Sequence, residues 1–306
     1  MIYTCTLNPS IDYFVEVDEL KQGSLNRADH TSFYPVGKGI NVSRVLKNVG
    51  KKSTALGFVG GFTGQFIRDF LAAEQINEDF IEVDQPTRVN VKVKSTEEME
   101  INGRGSMVSK QQQDQLLDKI SLLTKDDFIV LAGSLPPSLS VEYYQSLVEI
   151  CREKGVPVVV DTSGSALKEM ITYQPFLVKP NQHELGELFQ TEIKTVDEAV
   201  TYGKRLLAQG PENVIVSLGG EGALFLNHEV VAYANVPKGV LKNSVGAGDS
   251  MVAGFLASYQ QTNDVLQAFS YGIAAGSATA FLIDLCQKDD VDKLLPQVHV
   301  DILETS

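Results

Sequence analysis

Short apolar runs alternate with longer amphipathic segments through most of the 306 residues, and this alternation constrains the fold more than any other feature. It is the βαβ pattern of a sheet covered by helices. The runs Ile2–Leu7, Ser53–Val59, Phe128–Leu131, Val156–Asp161, Phe176–Lys179, Asn213–Ser217 and Ala223–Leu226 are expected strands. Helices are expected at Ile40–Val49, Gly64–Glu74, Lys110–Leu123, Val141–Lys154, Gln182–Phe189, Val196–Gln209, Asp249–Gln260 and Leu266–Leu282. In Val141–Lys154, the residues Val141, Tyr144, Leu147, Val148 and Cys151 recur at helical spacing and make one buried stripe, with charge on the opposite face.

Two segments break the alternation. Residues from about Asp12 to Pro35 hold no convincing helix, and Thr87 to Gly105 reads as extended chain with alternating Val89, Val91 and Val93 before a glycine-bearing turn at Asn102-Gly103. Together they suggest a small discontinuous β-sheet projecting as a lid over the mouth of the main sheet. No Pro/Ser-rich linker intervenes, so residues 1–306 are expected to form one α/β domain with lid segments at about 12–35 and 87–105.

Lys and Arg total 26 against 39 Asp and Glu, a formal net charge of −13. Such a chain repels a phosphate backbone, which argues against nucleic acid as a partner. The longest nearly uncharged small-residue stretch, Gly272 to Ile283, is too short to span a bilayer, so no membrane partner is expected. The first twenty residues carry Asp12, Glu16, Asp18 and Glu19 rather than a basic region followed by an apolar one, and the expected location is cytoplasmic. Cys5, Cys151 and Cys286 are far apart without CxxC spacing, so neither a disulfide framework nor a zinc site is indicated.

The strongest chemical signal is Asn243-Ser244-Val245-Gly246-Ala247-Gly248-Asp249-Ser250 followed at once by a helical run. Small residues at a helix N-terminus expose backbone N–H groups to an anion, for which phosphate is the natural occupant. Asp249 in that turn either caps the helix or takes a proton from a hydroxyl attacking the phosphate. Arg88, Asn90 and Lys92 fall at period 2 on one side of a strand, as the polar face of an ordinary lid strand would also require. Asn181 and Glu184 sit one helical turn apart at the end of an expected strand, a spacing that equally suits a helix cap. Ser217 to Gly222 reads as a strand end plus a tight turn. The four histidines lack metal-ligand spacing, and GxSxG is missing, so a serine hydrolase is not supported.

The order of these motifs resembles the PfkB sugar-kinase family of the ribokinase-like fold. The resemblance runs nearly end to end: Asn8-Pro9-Ser10-Ile11-Asp12, Gly37-Lys38-Gly39-Ile40-Asn41, Gly60-Gly61 with Gly64, Ala132-Gly133-Ser134-Leu135-Pro136-Pro137, Lys179-Pro180-Asn181 with Glu184, Ser217-Leu218-Gly219-Gly220-Glu221-Gly222, and the Gly-Ala-Gly-Asp turn. It implies that Asp249 is the catalytic base and that the backbone of Gly246, Ala247 and Gly248 forms an anion hole. Asp12, Gly37, Lys38 and Asn41 would contact the sugar, the first of them alternatively making an Asx turn. Lys179, Asn181, Ser217, Leu218, Gly219, Gly220, Glu221 and Gly222, with Gly248 and Asp249, would bind ATP. Glu184 would act on Mg²⁺ through water. The family usually has Gly where this chain has Val36 and Ser138.

An acidic chain that binds two phosphorylated compounds must concentrate cations locally, so Arg88, with Asn90 and Lys92, is the candidate for the phosphate already on the substrate. Thr87–Lys92 looks more like 1-phosphofructokinases than tagatose-6-phosphate kinases, and Glu100-Ile101-Asn102-Gly103 points the same way. The implied reaction is ATP-dependent phosphorylation of fructose 1-phosphate at its 6-hydroxyl. The alternatives are a tagatose-6-phosphate kinase and a non-catalytic phosphosugar-binding sensor. Expected partners are the sugar phosphate and MgATP, with a homodimer through the β lid.

Overall fold

The computed structural model describes residues 1–305. Strands β1 (Ile2–Thr6), β2 (Ser10–Glu16) and β3 (His30–Val36) lead into helix α1 (Lys38–Asn48), and β4 (Ser53–Val59) leads into α2 (Gly61–Ala73). Two short strands, β5 (Asn77–Glu78) and β6 (Ile81–Glu82), precede the hairpin of β7 (Arg88–Lys94) and β8 (Glu98–Asn102). There follow α3 (Lys110–Ser121), β9 (Phe128–Ala132), α4 (Val141–Glu153), β10 (Val158–Asp161), α5 (Gly164–Met170), β11 (Leu177–Val178), α6 (Gln182–Phe189) and α7 (Val196–Leu207). The chain ends with β12 (Asn213–Ser217), β13 (Ala223–Asn227), β14 (Val230–Ala234), α8 (Ala247–Thr262), α9 (Val265–Ala280), α10 (Lys288–Leu294) and β15 (Val300–Thr305).

The main sheet has the order β15-β14-β13-β12-β11-β10-β9-β1-β4-β5, with β6 also paired to β4. From β12 to β5 neighbouring strands are parallel, and β13, β14 and β15 extend the sheet antiparallel at one edge. Parallel strands buried on both faces need a continuous apolar run, which period 2 then divides between two cores. In β9, Ile129 and Leu131 join Leu116, Tyr144 and Leu147 on one side, while Val130 and Ala132 join Val42, Val45, Phe255 and Phe269 on the other. The stripe of α4 is buried at Tyr144, Leu147, Val148 and Cys151, and Tyr143 adds to it. This is the ribokinase-like α/β architecture, a large mostly parallel sheet between helices.

Both segments that interrupt the alternation supply a separate four-stranded sheet, in the order β3-β2-β7-β8. Its central pair, β2 and β7, is parallel, with Asp12 opposite Asn90. Several details differ from expectation, and the short β5 and β6, β14 and α10 are among the elements not expected from the sequence. The reversal in the second segment comes at Ser95–Glu97, and Asn102-Gly103 instead ends β8. The seven-residue α5 is too short to show a period. The edge strand β15 is mostly exposed and shows no clean apolar alternation. Among the described residues, no helix is long and apolar enough to cross a membrane.

Candidate active site

The parallel strands deliver their carboxyl ends to one side of the main sheet, where α/β folds gather ligand-contacting groups. Asp161 ends β10, Lys179 follows β11, and Ser217 ends β12. Gly246 is the N-cap of the 16-residue α8, at φ 80°, and its turn places Ala247, Gly248 and Asp249 in the first turn of that helix. A Cβ at Gly246 would lie 2.7 Å from Leu285 Cδ2, and the positive φ demands glycine. A Cβ at Gly248 would lie 3.0 Å from Lys179 Nζ, which places this ammonium directly against the turn.

Asp249 is not the N-cap, which is Gly246, and among the described residues its carboxylate bonds no amide of the helix start. Its carboxylate is 6% exposed and accepts a 2.8 Å hydrogen bond from Asn41 Nδ2 instead. Asn41 and Lys38 both lie in the first turn of α1, whose N-cap is Gly37. Lys38 Nζ pairs with Asp161 Oδ1 at 3.0 Å, and Lys179 Nζ approaches the same oxygen at 3.5 Å. Burial would raise the pKa of Asp161, but the charges of Lys179 and Lys38 outweigh it and hold the carboxyl below the ordinary range. Asp249 goes the other way. Burial and the Asp161 charge push it up to about 6, against the pull of Asn41, Lys38 and Lys179. Two carboxylates with pKa values driven apart are the usual mark of a site that handles protons.

Asp161 is the residue the motif reading misses. Its signal is an acidic residue at the carboxyl end of an apolar strand, Val158-Val159-Val160-Asp161.

The small sheet carries a second polar cluster. Asp12 is 7% exposed and sits inside β2 rather than in an Asx turn, where Oδ1 accepts from Asn90 Nδ2 at 2.7 Å and from Ser10 Oγ at 3.2 Å. Asn90 Oδ1 in turn accepts from the Gly103 amide at 3.2 Å. Arg88 spends three N–H groups on backbone carbonyls, two on Asn8 and one on Gly103. A guanidinium has five, so two remain for a ligand. Burial lowers the Arg88 pKa, with Asp12 opposing, and among the described residues no carboxylate forms an ion pair with it. Lys92 is different, because Glu100 neutralises it in an ion pair.

Asn181 and Glu184 do form the helix cap their spacing allows. Asn181 Oδ1 accepts from the Glu184 amide, and Glu184 Oε2 accepts from the Asn181 amide, both at 2.8 Å. Beside them opens a cavity of about 500 Å³, lined by Asn181, Gln182, His183, Ser217, Leu218 and Gly219 among others. The Ser217 amide donates to Pro180 O at 3.1 Å, and a 3₁₀ turn at Gly219–Glu221 closes the loop. Leu218 lines this wall although it is only 5% exposed and belongs to the core. The departures from the resemblance are absorbed locally: Val36 pairs with Ser10 at the end of β3, and Ser138 Oγ accepts from the Val108 amide.

Residues 6–284 match the family described as pfkB family carbohydrate kinase. A 1-phosphofructokinase of Bacillus subtilis is 51% identical over 300 residues, covering 98% of this chain and 99% of its own. A D-tagatose-1-phosphate kinase of Bacillus licheniformis is 38% identical, covering 98% and 99%. The crystal structure of a putative phosphofructokinase from Staphylococcus aureus superposes with a TM-score of 0.91 at 42% identity, covering all of both chains. A glycine-capped helix start with a buried carboxylate is thus found in a chain related over its whole length to such enzymes, and the protein belongs to the pfkB family as an ATP-dependent phosphosugar kinase.

Proposed function

We propose that the chain transfers the γ-phosphoryl group of ATP to the 6-hydroxyl of fructose 1-phosphate, giving fructose 1,6-bisphosphate, with Asp249 as general base. The observation that carries this reading is the placement of Asp249 in the first turn of α8, with its pKa raised to about 6 and with Lys179 against the adjacent Gly248. A base of that pKa is largely ionised at pH 7 yet close enough to it to take a proton efficiently. The N–H groups of Gly246–Gly248 and the α8 N-terminus hold the transferring group, and Lys38 and Lys179 add positive charge. Asp12 and Asn90 orient the sugar hydroxyls, and the two free Arg88 N–H groups take the phosphate that does not react. Asn181 and the Ser217–Gly222 loop hold the nucleotide.

The residues fit Mg²⁺. Asp161 Oδ2 is buried without a hydrogen-bond partner, and Glu184 keeps one oxygen beyond its capping bond. Among the described residues no three His, Cys, Asp or Glu side chains form a cage, which suits a cation that keeps its waters and rests on substrate phosphates. Glu184 would hold it through water, and the ion would neutralise phosphate charge.

Tagatose 1-phosphate, the C4 epimer, is the second reading, favoured by the relative that bears that substrate in its name. The test is a comparison of kcat/KM for fructose 1-phosphate, tagatose 1-phosphate, fructose 6-phosphate and tagatose 6-phosphate at saturating MgATP. Fructose 1-phosphate ranks first on this account, and free fructose is a very poor substrate because Arg88 is left unpaired. A higher value for either tagatose phosphate overturns the substrate.

We further propose a homodimer through the small sheet, with the enzyme working in the cytoplasm. The sheet face opposite Asp12 and Asn90 is apolar: Tyr13 stacks on Phe33 at 4.4 Å, and Phe33, Met99 and Ile101 are 52%, 46% and 58% exposed. Sedimentation at micromolar concentration tests it, and a monomer contradicts it.

A further inference from the structure

Helix α1 places Arg44 one turn beyond Asn41, and the residue is 8% exposed. A buried guanidinium must satisfy its donors, and this one does so on carboxylates from two separate parts of the fold. Glu74, the C-cap of α2, accepts from Nε at 3.2 Å and from Nη2 at 3.3 Å. Asp284, in the loop after α9, accepts from Nη1 at 3.2 Å and from Nη2 at 2.9 Å. The Phe70 ring lies 5.2 Å from the guanidinium carbon.

The two arms lead to different places. The Glu74 arm ends on α2, which holds none of the residues given a chemical role above. The Asp284 arm enters the segment 281–287, and that segment braces the glycine-rich turn. Asn243 Nδ2 donates to Ile283 O at 3.2 Å, and the Cys286 amide donates to Thr279 Oγ1 at 3.0 Å. Thr279 shares a 2.7 Å bond with the Ser250 hydroxyl, which donates to Gly246 O at 2.8 Å. Leu285 fills the space beneath Gly246. On the opposite side of the turn, Asn41 from the same helix as Arg44 holds Asp249. Arg44 therefore closes a ring of contacts that runs from α1 through Asp249 and the turn to Asp284 and back.

We propose that Arg44 is a positioning residue that fixes the catalytic turn against α1 through Asp284. This rests on the reading of Asp249 as the base. Arg44 touches no reacting atom, and it sets the distance between the helix that carries Lys38 and Asn41 and the turn that carries Gly246–Asp249. Misplacement of such groups falls on the transition state more than on binding.

The experiment compares Arg44→Lys, Asp284→Asn and Glu74→Gln, assayed with fructose 1-phosphate and MgATP well below each variant's measured melting temperature. Lysine keeps the charge but cannot engage two carboxylates with a planar fork. Arg44→Lys and Asp284→Asn are expected to lower kcat about tenfold or more, with both KM values within about threefold of wild type, since a shift approaching 1 Å can cost up to ~10². Glu74→Gln is expected to lower the melting temperature and leave kcat unchanged. Wild-type kcat in Asp284→Asn, or an equal loss in Glu74→Gln, overturns the proposal. Asp249→Asn is measured alongside: if it keeps turnover, the base assignment itself fails, whereas an inactive Asp249→Asn with a normal Asp284→Asn removes only the role of Arg44.

Discussion

Asn41 and Asp249, 208 residues apart in the chain, meet where the Asn41 side-chain amide donates to Asp249 Oδ2 at 2.8 Å. Among the described residues no hydrogen bond reaches Oδ1, so on the proposed function it is the oxygen for the substrate proton. The bond to Asn41 favours the ionised carboxylate. Asn41→Leu should therefore move the acid limb of the kcat/KM–pH profile above about 6 and lower kcat/KM at pH 6 more than at pH 8. A variant that is slower by the same factor at every pH would show that Asn41 acts on the sugar alone.

The wild-type profile carries its own sign. On the proposed function Asp249 must be deprotonated to act, and burial with the neighbouring Asp161 charge pushes its pKa up to about 6 in the free protein, so kcat/KM should fall as pH drops through 6, approaching tenfold per unit below it. Asp161→Asn removes the like charge and leaves Lys38 and Lys179 unopposed. The acid limb should then shift to lower pH even as the maximum rate falls. A limb that stays in place or moves upward in a folded Asp161→Asn contradicts this electrostatic account.

Arg88 braces the small sheet through three of its N–H groups, and on the proposed function the other two hold a phosphate that does not react, equally before and during phosphoryl transfer. Arg88→Ala should chiefly raise KM for the sugar phosphate, by about 10- to 100-fold, the scale of a lost charge-assisted hydrogen bond of ~1.5–3 kcal/mol. Arg88→Lys should recover part of it. An unchanged KM for the sugar phosphate with a raised KM for ATP would move Arg88 to the nucleotide.

The elements that announce themselves in the sequence are those whose signal is local. The strands Ser53–Val59 and Asn213–Ser217 and the helix Gln182–Phe189 are bounded by their own apolar period and caps, and they form as expected. The glycines before Asp249 announce the start of α8, because small residues and a helix start lie side by side in the chain. Partners that are distant in sequence are not legible in this way. Nothing near Lys38 indicates Asp161, 123 residues on, and nothing in the period of Arg88, Asn90 and Lys92 separates a cation with free donors from one that Glu100 neutralises. Arg44 likewise looks like a surface residue of an amphipathic helix until α2 and the segment after α9 fold over it.

The central claim is that the carboxylate of Asp249 takes the proton from the attacking hydroxyl, and steady-state kinetics of Asp249→Asn with fructose 1-phosphate and MgATP test it most directly. Asparagine keeps the shape and the neighbours but cannot accept the proton, so kcat should fall by at least ~10²-fold while both KM values stay close to wild type. Near wild-type turnover by a folded Asp249→Asn would contradict the account.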